Sequence, residues 1–150
     1  FVHPDCSPFI SMLKILNVVG ARPNFMKMAP IIAAIQRRSD KASQVLVHTG
    51  QHYDYAMSEK IFNDLGIRKP DIHLGTGAGS QAAQTGEMMV KLESAMIDKK
   101  PDIIVVFGDT NSTLAGVMAA SNCCAFILYC CSTVALIKTG TPSINLAISE

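Results

Sequence analysis

Ile103-Ile104-Val105-Val106-Phe107 runs directly into Gly108-Asp109-Thr110-Asn111-Ser112-Thr113. Five consecutive apolar residues, mostly β-branched, predict a strand covered on both faces, as in a parallel sheet. Gly108 stops the strand, and the small residues of 111–121 predict a helix packed close behind it. A buried strand, a polar turn and a helix make up part of a βαβ unit.

Outward from there, the same alternation repeats. Leu13-Lys14-Ile15-Leu16-Asn17-Val18-Val19, closed by Gly20, predicts a first strand. Pro23 suits a helix start, and Ile31, Ile32 and Ile35 supply an apolar helical face. Pro30 falls inside that stretch, where a proline costs about 3 kcal/mol, so the regular helix is expected to begin or bend there. Val45-Leu46-Val47 predicts strand two, and Met57, Ile61, Phe62 and Leu65 a helix capped by Gly66. Asp71-Ile72-His73-Leu74 is a short third strand. Met88, Met89, Leu92, Ala95 and Met96 mark the longest helix, over 80–98, and Ala125 to Tyr129 a fifth strand. The expected strands are therefore 13–19, 44–48, 71–74, 102–107 and 124–130 in an α/β, doubly wound parallel sheet.

Composition narrows the function classes. The 150 residues are 49% hydrophobic and 17% charged, enough to bury a core. Thirteen Lys and Arg against twelve Asp and Glu leave a net charge of +1, no footprint for nucleic acid. Cys6, Cys123, Cys124, Cys130 and Cys131 are an odd count with no C-x-x-C, which suits buried thiols in a reducing, cytoplasmic compartment. Residues 110–137 carry no charge, but Ser112, Thr113, Ser121, Asn122, Ser132 and Thr133 interrupt them, so a buried helix and strand are expected and no membrane span. Met12 stands directly before the first strand, and 1–11, with two prolines, reads as upstream sequence.

Ligands of such sheets bind beyond the carboxyl ends of the strands, so the loops there matter. Loop one, Gly20-Ala21-Arg22-Pro23-Asn24-Phe25-Met26-Lys27, is neither a P-loop nor a dinucleotide fingerprint. Its Arg22 and Lys27 near a helix N-terminus suit a phosphate, or serve as solvated cations. Loop two, His48-Thr49-Gly50-Gln51-His52-Tyr53-Asp54, spaces two histidines four apart. Gly50 breaks the segment, which weakens a metal reading and leaves ligand contacts or hydrogen-bonded structural roles. Loop three, Gly75-Thr76-Gly77-Ala78-Gly79-Ser80, ends in a helix N-cap at Ser80. In loop four, Asp109 is either an N-cap or a carboxylate available for acid–base work.

Gly20-Ala21-Arg22-Pro23 with Lys27-Met28-Ala29-Pro30, then Thr49-Gly50-Gln51-His52-Tyr53-Asp54, then Gly108-Asp109-Thr110-Asn111-Ser112-Thr113 together resemble the N-terminal domain of the UDP-N-acetylglucosamine 2-epimerase family. Phe62-Asn63-Asp64-Leu65-Gly66-Ile67 and Gln84-Thr85-Gly86 match it too, and the resemblance covers 13–122. It implies the N-terminal half of a GT-B architecture, two Rossmann-like domains with a UDP-sugar in the cleft, working as a homodimer without nicotinamide or metal. The implied reaction interconverts UDP-N-acetylglucosamine and UDP-N-acetylmannosamine by elimination and re-addition of UDP. By the match, Arg22 and Lys27 lie at the diphosphate or the reacting sugar, and Asp109 is a catalytic carboxylate. Gln51 and His52 fall where bacterial members contact a second, allosteric UDP-sugar, although Tyr53-Asp54 stands where many members carry an arginine.

After Asn122 the family continues into His-Val-Glu-Ala-Gly-Leu-Arg and later Pro-Glu-Glu, whereas this chain reads Cys123-Cys124-Ala125-Phe126. The expected organisation is thus an extension over 1–12, a Rossmann-like domain over 13–131 and a non-family tail over 132–150 without native family structure, the C-terminal domain being absent. Such a half is expected to be inactive alone. The alternatives are a catalytically silent nucleotide-sugar-binding or interaction module, and a fragment of a GT-B glycosyltransferase.

Overall fold

The computed structural model describes residues 12–50, 60, 62–77, 79–108, 110–121, 125–130, 134–138 and 145–148. In chain order its elements are β1 (Leu13–Val19), α1 (Arg22–Gln36), β2 (Ala42–His48), β3 (Ile72–His73), α2 (Gln81–Lys99), β4 (Ile103–Phe107), α3 (Asn111–Ala120), β5 (Phe126–Cys130), β6 (Val134–Lys138) and β7 (Asn145–Ile148). All strands join one sheet in the order β3-β2-β1-β4-β5-β6-β7.

The first five strands in that order are parallel, as the apolar runs predict. Alternate residues of β1 and β4 feed two cores. Leu16, Val18, Ile104 and Val106 meet Met88, Leu92 and Met96 of α2 and Ala115 and Ala119 of α3. Ile15, Val19, Val105 and Phe107 meet Phe25, Met28 and Ile32 of α1, with Phe62 and Ile67. β4 lies between β1 and β5 and is covered on both faces, which is why it could be so uniformly apolar. α3 can lie close to it because residue 116 is glycine: a Cβ there would stand 3.0 Å from Val106 Cγ1.

β3 is only two residues long, and side chains hold it in place. Asp71 accepts the Leu46 N–H at 2.7 Å, and Arg68 bonds both Asp71 and the Gln44 carbonyl.

Two findings differ from expectation. α1 does not start at Pro30 but runs through it from Arg22 to Gln36. Pro30 and Met26, whose carbonyl loses its helical donor, both lie on the solvent side. Water can take that hydrogen bond, while burial of Phe25, Met28 and Ile32 fixes the helix on both sides of the proline. The tail also contributes structure: β6 and β7 extend the sheet antiparallel from β5. The open edge of β5 presents backbone donors and acceptors, and Val134-Ala135-Leu136-Ile137 is a suitable strand to pair with them. No helix among the described residues is long and apolar enough to cross a membrane.

Candidate functional site

Because five strands run in parallel, their carboxyl ends share one edge, and loops one to four gather there. The order reverses between β1 and β4: the chain leaves β1 toward α1 and β2 on one side, and leaves β4 toward α3 and β5 on the other. α1 and α3 cover opposite faces. Loops one and four therefore leave the sheet toward opposite faces at a topological switch point, the place where doubly wound sheets bind their ligands. At the opposite edge, a groove of about 600 Å³ between Leu13, Ile31, Ile35, Arg38 and Lys41 lies by the C-terminal end of α1, away from the helix N-termini.

A buried knot of short polar side chains ties the loops together. Thr49, fully buried, donates its N–H to the Val19 carbonyl at 2.9 Å. Its hydroxyl shares a 2.8 Å hydrogen bond with Ser112 at the start of α3. Its carbonyl accepts from the Thr76 hydroxyl at 2.5 Å and the Thr76 N–H at 3.3 Å. One residue of loop two thus holds β1, loop three and α3. The Thr49–Ser112 bond passes over Gly20, where an added Cβ would lie 2.0 Å from Ser112 Oγ and 2.3 Å from Thr49 Oγ1. Gly20 is needed for space alone.

A second bridge joins loops one and four. Asn24, buried in the first turn of α1, donates from Nδ2 to Thr110 Oγ1 at 3.4 Å, and Thr110 Oγ1 lies 3.3 Å from Thr113 Oγ1. Thr113 in turn donates to the Phe107 carbonyl at 2.6 Å. Gly108 turns with a φ of 71°, a left-handed conformation that glycine adopts without strain. Thr110, the N-cap residue of α3, makes no capping bond with its side chain. α1 and α3 thus both begin at this edge of the sheet, tied to each other through Asn24 and Thr110.

Loop three is fixed from α2. Lys91 Nζ donates to the Leu74 carbonyl at 2.8 Å and to Glu87 at 2.6 Å, and Gln84 bonds the Gly77 carbonyl at 3.0 Å. The Lys91 hydrogen bond holds the Glu87 carboxyl below its ordinary range. Ser80 is the N-cap of α2, accepting from the Ala83 N–H at 3.3 Å, as the sequence predicts.

The expected site residues fall as follows. Arg22 opens α1, with Ala21 as N-cap. Lys27 follows one turn after Asn24 and is exposed. Asp109 lies outside the described residues, between Gly108 and Thr110, and Gln51 and His52 lie outside them too. No group of three metal-binding side chains occurs among the described residues. Asn24, Thr49, Thr76 and Ser112, which position the loops, escaped the sequence reading; their one signal is that each stands just beyond a strand, in or at the start of the following turn or helix.

The family model described as UDP-N-acetylglucosamine 2-epimerase matches residues 33–124, which includes loops two, three and four. A UDP-N-acetylglucosamine 2-epimerase homolog of Methanococcus maripaludis is 46% identical over 109 residues, 73% of this chain and 30% of the relative. The UDP-2,3-diacetamido-2,3-dideoxy-D-glucuronate 2-epimerase of Pseudomonas aeruginosa is 41% identical over 138 residues, 92% of this chain and 37% of the relative, a match that extends well past residue 122. Among solved structures, the UDP-GlcNAc 2-epimerase of Methanocaldococcus jannaschii in complex with UDP-GlcNAc and UDP superposes with a TM-score of 0.73 at 34% identity, over 78% of this chain and 32% of that one. The chain spans about a third of the length of these relatives.

Proposed function

We propose that this chain, which belongs to the UDP-N-acetylglucosamine 2-epimerase family, supplies the N-terminal half-site of an enzyme interconverting UDP-N-acetylglucosamine and UDP-N-acetylmannosamine. The observation that carries the reading is the topological switch point between loops one and four, with Arg22 at one helix start and Asp109 placed by sequence just before the other.

The chemistry asks for what those loops offer. A base removes the weakly acidic proton at C2, the C1–O bond breaks with its electron pair leaving on UDP, and a C1–C2 double bond forms. UDP oxygen then re-adds at C1 while a proton arrives on the opposite face of C2. No net oxidation occurs. Arg22, Lys27 and the N–H groups opening α1 stabilise the departing diphosphate. Asp109 takes or returns one of the protons. One carboxylate cannot serve both faces, so partner carboxylates from the remainder of the protein complete the site. Gln51 and His52 contact the UDP-sugar or a second, regulatory one.

The complete enzyme works as a homodimer in the cytoplasm, on a nucleotide sugar and not on nucleic acid or membrane. The near-neutral charge and cysteine usage support this placement. The long match to the Pseudomonas aeruginosa relative favours a second substrate, UDP-2,3-diacetamido-2,3-dideoxy-D-glucuronate, which shares the UDP and the acetamido-bearing C2.

The test is deuterium incorporation at C2 of either nucleotide sugar in heavy water. The 150 residues alone should give no exchange. Exchange should appear when the remaining two thirds of a relative is appended at residue 122, and Asp109→Asn should abolish it. Exchange by the isolated chain at the rate of a whole relative, or insensitivity of the appended protein to Asp109→Asn, would refute the proposal.

A further inference from the structure

Asn24 stands in the first turn of α1 and is 2% exposed. Its amide meets loop four at two residues. Nδ2 is 3.4 Å from Thr110 Oγ1, and Oδ1 lies toward Gly108, where an added Cβ would stand 3.3 Å from it. From Thr110 the contacts continue, Oγ1 to Thr113 Oγ1 at 3.3 Å and Thr113 Oγ1 to the Phe107 carbonyl at 2.6 Å. Counting protons gives this chain a direction. A carbonyl can only accept, so the one hydroxyl proton of Thr113 goes to Phe107. Thr113 Oγ1 is then the acceptor toward Thr110 and takes up the one proton that Thr110 has. Thr110 Oγ1 is left as an acceptor, and the amide nitrogen of Asn24 is the donor that suits it. The relay therefore runs from Asn24 through Thr110 and Thr113 to the end of β4, each bond polarising the next. The Thr110 hydroxyl is committed to it: Thr110 is the N-cap residue of α3 but makes no capping bond with its side chain.

We propose that Asn24 is a positioning residue for the epimerisation: as the donor that opens this relay it sets the rotamer of Thr110, and with it the placing of the α3 start against the α1 start. The consequence for turnover rests on the proposed UDP-sugar site, whereas the relay does not. An oxygen in place of Nδ2 would break the chain, because Thr110 would turn its proton to residue 24 and leave facing lone pairs between Thr110 and Thr113. The two links through Thr110 are long and the last link is short, so Thr110 is the member that is released when one partner is lost. Arg22 belongs to one of the two segments that the relay ties, and the sequence places Asp109 in the other. A relaxed relay loosens their mutual placing and leaves α1 itself intact. The loss therefore falls on turnover more than on substrate affinity.

Four variants test the relay. Asn24→Ala removes the donor. Thr110→Val keeps the shape of the threonine without its hydroxyl, and Thr110→Ser keeps the hydroxyl. The double variant Asn24→Ala with Thr110→Val removes both partners. Each is made in the protein completed at residue 122 with a relative's remaining part, and kcat and KM are read from deuterium incorporation at C2 of UDP-N-acetylglucosamine. In the isotope-labelled 150-residue chain, three-bond couplings to Thr110 Cγ2 report its χ1 rotamer, with the melting temperature recorded for each variant.

Asn24→Ala and Thr110→Val should each lower kcat about tenfold or more with KM within about threefold, and the double variant should be no worse than either. Thr110→Ser should stay within about threefold of the unsubstituted protein in kcat. Thr110 should hold one χ1 rotamer in the unsubstituted chain and average over rotamers in Asn24→Ala. An unchanged single rotamer in folded Asn24→Ala, losses that multiply in the double variant, or a Thr110→Ser as slow as Thr110→Val would overturn the inference. So would an unchanged kcat in Asn24→Ala once Thr110 is released. If Asn24→Ala does not fold, the contrast between Thr110→Val and Thr110→Ser decides. If the completed, unsubstituted protein gives no exchange at C2, the proposed function fails, and the Thr110 couplings still decide whether Asn24 holds Thr110.

Discussion

Replacing Gly20 by alanine puts one methyl group where two hydroxyls already meet. Its Cβ would stand 2.0 Å from Ser112 Oγ, 2.3 Å from Thr49 Oγ1 and 2.9 Å from Ser112 Cβ. The two oxygens bond each other at 2.8 Å, and both residues are buried. Thr49 is also held through its N–H and its carbonyl, so it cannot retreat without pulling on β1 and loop three. Overpacking a tight interior costs about 1–3 kcal/mol. Losing the buried Thr49–Ser112 hydrogen bond costs about 0.5–1.5 kcal/mol more. The expected loss is about 1.5–4.5 kcal/mol, a large part of the ~5–15 kcal/mol that holds a domain together. Thermal and urea unfolding of Gly20→Ala should show a melting point lower by roughly 10 °C. Adding Ser112→Ala removes the worst overlap, so the double variant should recover part of the loss, and the two changes should be strongly non-additive. Gly20→Ala within about 1 kcal/mol of the unsubstituted chain would refute the idea that the knot is rigid.

Other expectations follow from the same contacts. Asp71→Ala, which strands the Leu46 N–H and frees Arg68, should cost about 1–3 kcal/mol in urea unfolding and speed exchange at the Leu46 amide. The Glu87 carboxyl, held below the ordinary carboxylate range by the Lys91 hydrogen bond, favours the folded state above that range, and its contribution fades as pH falls through the lowered value. Carbon NMR titration should show Glu87 returning to the ordinary range in Lys91→Met, with loop three loosened at Leu74 and Gly77. In protein completed with a relative's remaining part, Asp109→Asn should lower the epimerisation rate about 10²–10⁴-fold with little change in melting temperature. If 13–131 is the domain, a chain ending at residue 131 should melt within a few degrees of the 150-residue chain; a large drop would assign β6 and β7 to the folding unit.

The parallel sheet was legible because burial on two faces leaves a direct mark in the letters. β4 reads as five apolar residues, and β1 and β2 as β-rich runs stopped by glycines. The motifs of loops one, two and four were equally open to reading, since each lies within a few consecutive residues. What could not be read is long-range. Thr49 and Ser112 are 63 positions apart, and nothing in either neighbourhood specifies the other. Asn24 and Thr110, 86 apart, become partners only when β1 and β4 lie side by side. Pro30 misled because propensity was weighed without knowing that the carbonyl it deprives faces water. β6 and β7 were missed because their pairing answers the exposed edge of β5, a demand set by the assembled sheet and not by the tail itself.

Titrating the ¹⁵N-labelled chain with UDP-N-acetylglucosamine and following its amide resonances tests the half-site most directly. Saturable shifts should fall at Ala21–Met28, Thr49–Gly50 and Gly108–Thr113, with UDP alone reproducing those of loop one. Shifts confined to the opposite edge, around Arg37–Lys41, or none at all up to millimolar ligand, would contradict the placement of a UDP-sugar site at the carboxyl ends of β1 and β4.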